Sequence, residues 1–469
     1  MSSMAKPNTT PLPETSLIRS LTLADATSLV IGTVIGTGIF IKSSTMAATL
    51  GSPLWVMVAW VFAGLLSLAG ALTYAELGSR YPKAGGEFVY LREAYGDFTA
   101  FLYGWTRFFI GSPGSIAAYG VGAATFLSGV ISLESFPFGR TGCAIALITF
   151  FSAINLLKVS TSGLVQTALT IIKYFVVIAL SIGLLFFAAP ATQDPFSLFT
   201  SSPLSDPSNQ SFHLSSFLSA FFTASIAALW AYDGWNGMPM VAGEIHEPKK
   251  NIPRALFLGM SLVLVAYLLV NFGYFRAIDW QTILSSNPSK NAAALSLGAV
   301  GAKAFFGDFG IRLISIAMVI SALGAMNGSI MAGARIPYAM AVEGLAWKKL
   351  AHLSRRTSSP QIAVISQFVV SVLLAMSGTF DQLTDQVVFA SWIFYALCAG
   401  ALFIFRRRSV PEKDLYQAWG YPFVPILFIV LSVLLLGNTL ITQTHDSLIG
   451  LLMIAAGAPV FWWMKRKPN

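Results

Sequence analysis

Asp233 and Lys173 are charged side chains set inside long apolar stretches, where an ionisable group is costly and marks function by default. Asp233 belongs to Leu229-Trp-Ala-Tyr-Asp-Gly-Trp-Asn-Gly-Met-Pro239, in which Asp233-Gly234, Asn236-Gly237 and Pro239 all break helices. A second interruption is Ile31-Gly-Thr-Val-Ile-Gly-Thr-Gly-Ile39. Its glycines, Gly32, Gly36 and Gly38, are poor helix formers, each costing up to ~1 kcal/mol against alanine. In lipid, unwound backbone is tolerated only where protein encloses it or it lines a cavity. The chemistry two such bare segments offer is binding: free N–H groups suit an anion, and free carbonyls suit a cation. Gly32-x-x-x-Gly36 is also the spacing that lets two membrane helices pack closely, so the elements around it must decide.

Those elements are membrane spans. The chain has 469 residues, 55% hydrophobic and only 10% charged, against about 25% charged in soluble domains, and its mean hydropathy is +0.70. Apolar runs long enough to cross a bilayer recur at about 23–48, 54–79, 98–131, 141–158, 163–189, 214–243, 254–279, 303–341, 361–377, 380–405, 421–443 and 446–464. The fold expected is an all-α polytopic membrane protein with 12 transmembrane helices. The polar start, with Pro7, Pro11 and Pro13, lacks the apolar core of a cleaved signal peptide. Cys143 and Cys398 both fall in apolar segments and build neither a disulfide framework nor a metal site. No pair of the four histidines, His213, His246, His352 and His445, has metal spacing.

The net charge of +9 does not imply nucleic acid. With the N-terminus in the cytoplasm, 20 of the 29 Lys and Arg fall on the cytoplasmic side, while Arg140, Arg276, Lys290 and Lys303 fall outside. That bias is the positive-inside signature and places both termini in the cytoplasm. The connector Arg80 to Asp97 reads as turns at Pro82, Gly85 and Gly86 followed by a short interfacial helix. Pro190 to His213 reads as an external loop carrying the sequon Asn209-Gln-Ser211.

The interrupted spans are the first and the sixth. Five spans apart, an odd offset, the second unit is inverted relative to the first. Paired interruptions at corresponding positions of two halves are the best sequence pointer to a transporter site near the midplane. Here the residues resemble a family. Gly32-Thr-Val-Ile-Gly-Thr-Gly-Ile-Phe40 resembles the first-helix motif of the amino acid–polyamine–organocation superfamily. Leu229-Trp-Ala-Tyr-Asp-Gly-Trp-Asn236, with Glu244 and Glu247-Pro-Lys-Lys-Asn-Ile-Pro253, resembles its L-type amino acid transporter branch. The resemblance runs over nearly the whole chain and implies a five-plus-five inverted-repeat core, 21–190 and 214–405, with discontinuous helices 1 and 6. Residues 1–20 would form a cytoplasmic tail, and 406–469 the last two helices and a short cytoplasmic end.

The resemblance implies an L-amino acid substrate, bound through its carboxylate by the backbone around Gly36, Thr37 and Gly38, with Ile35 also among the substrate-binding residues. Its ammonium would meet carbonyls of Val34 and of the turn Trp230, Ala231, Tyr232 and Asp233, with Asn236 beside them. Trp230 stands where the family places a gating ring over the substrate; the plain alternative is a core- or lipid-facing tryptophan. Asp233 either recognises a cationic side chain or ammonium, or caps the second half-helix. Lys173 lies about 15 Å along the fifth span from Gly163, close to the midplane, and matches a family lysine that stands where sodium-coupled relatives hold a cation. This implies sodium-independent transport, by exchange of neutral amino acids; the alternative is a lysine that only stabilises the bundle.

Arg335 is expected to end the eighth span at the cytoplasm and Arg107 and Arg312 to enter ion pairs, while Trp392 and Tyr395 are expected to pack as core aromatics, the alternative being that they approach the cavity. The loop Ile131 to Arg140 lacks the cysteine through which animal L-type members join a heavy chain, so no disulfide-linked partner is expected. No cofactor is expected either. Rival readings are a proton-coupled importer of cationic amino acids or polyamines, a membrane amino-acid sensor, and an intramembrane hydrolase. The sensor lacks a large soluble domain, and the hydrolase lacks any Ser/His, Cys/His or HExxH arrangement.

Overall fold

A computed structural model describes residues 17–466 except 129, 134, 136, 193, 195–213, 288–294, 378–379 and 410–413, with the backbone alone for 380–388 and 446. The sequon at Asn209, His213 and Lys290 lie outside the described residues. The helices run in the order α1 (Leu23–Val34), α2 (Lys42–Leu50), α3 (Pro53–Arg80), α4 (Glu87–Tyr95), α5 (Asp97–Thr106), α6 (Ser112–Ser128), α7 (Gly139–Asn155) and α8 (Val159–Ile182). There follow α9 (Leu214–Tyr232), α10 (Gly237–Met240), α11 (Pro248–Ala277), α12 (Trp280–Ser285), α13 (Leu297–Gly333) and α14 (Arg335–Val342). The chain closes with α15 (Gln361–Ser377), α16 (Phe380–Arg408), α17 (Phe423–Thr442), α18 (Thr444–Ala455) and α19 (Gly457–Arg466).

Among the described residues, eight helical segments are long and apolar enough to cross a membrane. The other expected spans fall on shorter or broken pieces. The first covers α1 and α2, and the third covers α5 and α6 with a π-helical turn, Arg107–Gly111, between them. The fourth and ninth fall on α7 and α15, 17 residues each.

The helix starts follow local chemistry. Thr22 and Asp25 form a reciprocal capping box at α1: the Asp25 N–H donates to Thr22 Oγ1 at 3.2 Å, and the Thr22 N–H donates to the Asp25 carboxylate at 2.9 Å. Pro53 opens α3 at its first turn, where its missing N–H costs nothing. α1 is enclosed by α8, α11 and α13, and every residue from Leu29 to Val34 is buried. Just before it, Leu21 pairs with the segment after α10: its N–H donates to the Glu244 carbonyl at 2.9 Å, and the His246 N–H donates to the Leu21 carbonyl at 2.8 Å. The two interrupted regions are thus tied together at this end.

Two sequence expectations are corrected. The connector helix α4 is not interfacial: Glu87, Phe88, Val89, Tyr90 and Leu91 are all buried. The Gly85 N–H donates to the Met240 carbonyl at 2.8 Å, which pins this segment beneath the second break. Arg335 does not face the cytoplasm. It is 2% exposed, and its guanidinium donates to both carboxylate oxygens of Glu244 at 2.7 and 3.0 Å. Removing one partner of such a pair leaves a buried charge unmatched. Arg335→Ala is therefore expected to lower stability by about 3–5 kcal/mol, read as a large fall in the melting temperature of the detergent-purified protein. An unchanged melting temperature would show that the pair contributes little.

Candidate substrate site

The first interruption follows from its glycines. α1 stops at Val34, Ile35 to Thr37 are irregular, and a short 3₁₀ turn, Gly38–Phe40, leads into α2. The Gly36 N–H folds back onto the Val34 carbonyl at 2.8 Å. Among the described residues, nothing accepts from the N–H groups of Thr37 or Gly38, and the buried Thr37 hydroxyl has no hydrogen-bond partner. The second interruption opens at Asp233. Gly234 adopts φ +115°, a conformation side chains disfavour. Any Cβ there would also sit 2.9 Å from the Thr33 backbone.

The two breaks touch. Thr33 Oγ1 lies 3.0 Å from the Gly234 carbonyl. The Tyr267 hydroxyl on α11 lies 3.1 Å from the Val34 carbonyl and 3.0 Å from the Ala231 carbonyl. Gly38 sits against Ala231 and the Trp230 ring so closely that a Cβ would come within 2.7 Å of Ala231 Cβ. Trp230 is half-buried, with the Lys42 ammonium 5.2 Å from its ring centroid.

Lys173, 1% exposed, spends all three of its N–H donors on carbonyls: Gly32 at 2.7 Å, Ile35 at 2.7 Å and Ser321 at 3.0 Å. Ser321 in turn places its hydroxyl 3.1 Å from the Ile35 oxygen and 2.9 Å from that of Gly36. α8 and α13 thus hold the unwound carbonyls of the first break. Gly32 also packs at close range, since a Cβ there would meet Gln166 and Thr170 of α8. Packing and function share that glycine.

Beside the second break lies a cavity of about 30 Å³, lined by Thr33, Arg107, Ser115, Tyr119, Asp233, Asn236 and Ser329 among others. That volume holds water-sized occupants only. The Asp233 carboxylate accepts from the Tyr395 hydroxyl at 2.7 Å. Asn236 Nδ2 donates to Glu87 at 3.1 Å, and Glu87 also accepts from Tyr74 at 2.7 Å and from the Tyr103 hydroxyl. Of the residues read from sequence, Asp233 and Asn236 reach the cavity region. Gly38 touches Trp230 and Ala231, Val34 and Ala231 share the Tyr267 hydroxyl, and Ile35 and Gly36, followed by Thr37, are held from α8 and α13 by Lys173 and Ser321. Tyr232 turns away, its ring 5.7 Å from Trp60 and 5.0 Å from Tyr267.

A family model described as amino acid permease matches residues 21–464. The chain belongs to the amino acid permease family. This permease is 33% identical to the serine/threonine exchanger SteT of Bacillus subtilis over 97% of its own length and 98% of that protein. It is 29% identical to the human b(0,+)-type amino acid transporter 1, over 94% and 87% of the two chains. With the human cystine/glutamate transporter it shares 28% identity, over 95% and 85%. Its relatives are amino acid transporters and exchangers rather than enzymes, and the apolar helices make the permease a multi-pass membrane protein.

Thr33, Tyr119, Tyr267, Ser321 and Glu87 were not singled out by sequence reasoning. Apart from Thr33, which stands within the first-break motif, they carry no motif, and the roles of all five depend on how each span is rotated. Tyr395 packs as a core aromatic, its ring 5.4 Å from Trp235 and 5.7 Å from Trp392, and also delivers its hydroxyl to Asp233. Trp392 does pack among apolar side chains, lying 5.7 Å from the Phe428 ring. Arg107 had a detectable signal, a cation at mid-span, and the structure puts it in the cavity wall. Arg312 is exposed on α13.

Proposed function

We propose that this permease exchanges small neutral L-amino acids across the cell membrane without sodium, by alternating access around the two breaks. The observation that carries the reading is the Lys173 ammonium, fixed on the carbonyls of Gly32, Ile35 and Ser321. An ammonium there does the work a bound sodium ion would do, holding the unwound carbonyls in place. The unclaimed N–H groups of Thr37 and Gly38 suit a substrate carboxylate. The carbonyls of the Trp230 to Asp233 turn suit its ammonium, with Trp230 closing the site. The Val34 oxygen already meets the Gly36 N–H and the Tyr267 hydroxyl, and the oxygens of Trp230 and Ala231 meet the Asp233 N–H and the same hydroxyl, so a bound ammonium displaces contacts at both breaks. Small side chains fit the hydroxyl-rich lining of Thr33, Ser115 and Ser329, which agrees with a serine/threonine exchanger among the relatives.

In this reading residues 21–190 and 214–405 are the inverted repeats, both termini are cytoplasmic, and no disulfide-linked heavy chain is needed. The test is uptake of labelled serine, alanine or arginine into proteoliposomes that are preloaded with unlabelled amino acid or left empty. Preloading is expected to raise uptake at least tenfold, equally in sodium and in choline. Equal uptake into empty vesicles, rising with an imposed proton gradient, would replace this reading by the proton-coupled importer that Asp233 favours. Loss of uptake in choline would remove the role given to Lys173.

A further inference from the structure

Arg107 is not needed for backbone recognition of an amino acid, yet its placement is specific. It opens the π-helical turn Arg107–Gly111 between α5 and α6, and such single turns often mark functional positions. Its stem folds over Gly111, where a Cβ would meet Arg107 Cδ at 2.9 Å and Nη1 at 3.1 Å. Any larger residue at 111 would push the guanidinium out. Its Nη1 lies 3.5 Å from the Ser391 hydroxyl, a long contact, and its Nε is buried with no hydrogen-bond partner. Ser391 stands one helical turn before Tyr395, the residue that donates to Asp233. One face of α16 therefore addresses both the guanidinium and the carboxylate, and both line the same cavity.

The charges facing this cavity can be listed. Asp233, Arg107 and Tyr119 line the same cavity, and Tyr395 donates to Asp233. Glu87 does not line the cavity, and its carboxylate accepts from Tyr74, Tyr103 and Asn236. The side chain of a bound amino acid would meet one carboxylate and one guanidinium.

We propose that Arg107 is a tethered stand-in for a cationic substrate side chain: it neutralises Asp233 and so restricts the site to neutral amino acids. This rests on the exchange function proposed above and adds to it the residue that sets side-chain charge. Asp233 alone would attract lysine or arginine. With Arg107 in place, a cationic side chain meets a like charge of the protein, while a neutral one meets a balanced pair. Like-charge juxtaposition in a desolvated site is an effective way to reject the wrong partner.

The test compares wild type, Arg107→Gln, Gly111→Ala and Asp233→Asn in proteoliposomes, reading the ratio of labelled arginine to labelled alanine uptake, and of glutamate to alanine. Arg107→Gln is expected to raise the arginine-to-alanine ratio at least tenfold. Gly111→Ala, which displaces the guanidinium without deleting it, is expected to shift the ratio in the same direction. Asp233→Asn leaves Arg107 unbalanced and is expected to raise the glutamate-to-alanine ratio instead. The double variant Arg107→Gln with Asp233→Asn should return both ratios to near the wild-type values. If wild type exchanges alanine but neither single-charge variant changes its ratio, this inference is overturned while the exchange function stands. If wild type exchanges no amino acid, the exchange function itself falls. Should Arg107→Gln fail to fold, Asp233→Asn decides: an unchanged glutamate ratio sinks the charge-balance account.

Discussion

Replacing Lys173 with methionine is expected to reduce exchange at least 100-fold. The substitution keeps length and apolar bulk but removes three donors at once, from the carbonyls of Gly32, Ile35 and Ser321. Hydrogen bonds to a charged group are each worth about 1.5–3 kcal/mol, and stranding a buried acceptor costs a similar amount. Even the lower figure, taken for two of the three, amounts to about 3 kcal/mol, where 1.4 kcal/mol is a factor of ten. The Ile35 oxygen would keep the Ser321 hydroxyl, whereas no other side chain donates to the Gly32 oxygen among the described hydrogen bonds. Arginine should not rescue the loss. A Cβ at Gly324 would come 2.7 Å from Lys173 Cε, so the ammonium already fills a slot cut for it. The measurement is exchange per quantified, monodisperse protein. Activity within threefold of wild type in Lys173→Met would show that the carbonyls hold their places unaided.

Gly38→Ala should have the second largest effect, a 10- to 100-fold loss of exchange. The new Cβ would lie 2.7 Å from Ala231 Cβ, 3.0 Å from Ala231 Cα and 3.0 Å from the Trp230 ring. Backbone lies on both sides of the contact, so no flexible side-chain end can yield. The overpacking penalty of about 1–3 kcal/mol would fall on the seam that must open and close around the substrate. Gly437→Ala on α17 is the matched control, since nothing lies within 4 Å of its added Cβ, and it should stay within twofold of wild type. If both variants behave alike, close apposition of the breaks at Gly38 is not needed for turnover.

A neighbouring contact shows how such a seam is sealed without covalent chemistry. The Tyr267 hydroxyl sits between the carbonyls of Val34 and Ala231, and Thr33 reaches Gly234. Five polar groups from three segments, α1, the second break and α11, satisfy one another where lipid could not. Each is one rearrangement away from contacting a solute instead, and the touching walls leave room only for water between them. Substrate entry therefore requires the walls to part.

The sequence by itself determined where the helices break and that the chain spans a membrane. Breaks are a matter of local propensity: Gly32, Gly36 and Gly38, and Gly234, Gly237 and Pro239, disfavour helix wherever they stand. Apolar length fixes the spans in the same local way. The depth of Lys173 was equally legible, because position along a helix follows from counting residues. What met that lysine was not legible. Ser321 lies 148 residues away along the chain, and only the rotation of α13 against α8 points its carbonyl at the ammonium. The burial of α4, which turns an expected surface helix into the floor beneath Asn236, and the pairing of Arg335 with Glu244 were also left to tertiary structure. So was the meeting of Arg107 and Asp233 at one cavity. Local sequence sets where the backbone lets go, and the packing of distant helices decides which side chains are waiting there, because orientation about a helix axis is fixed only by its neighbours.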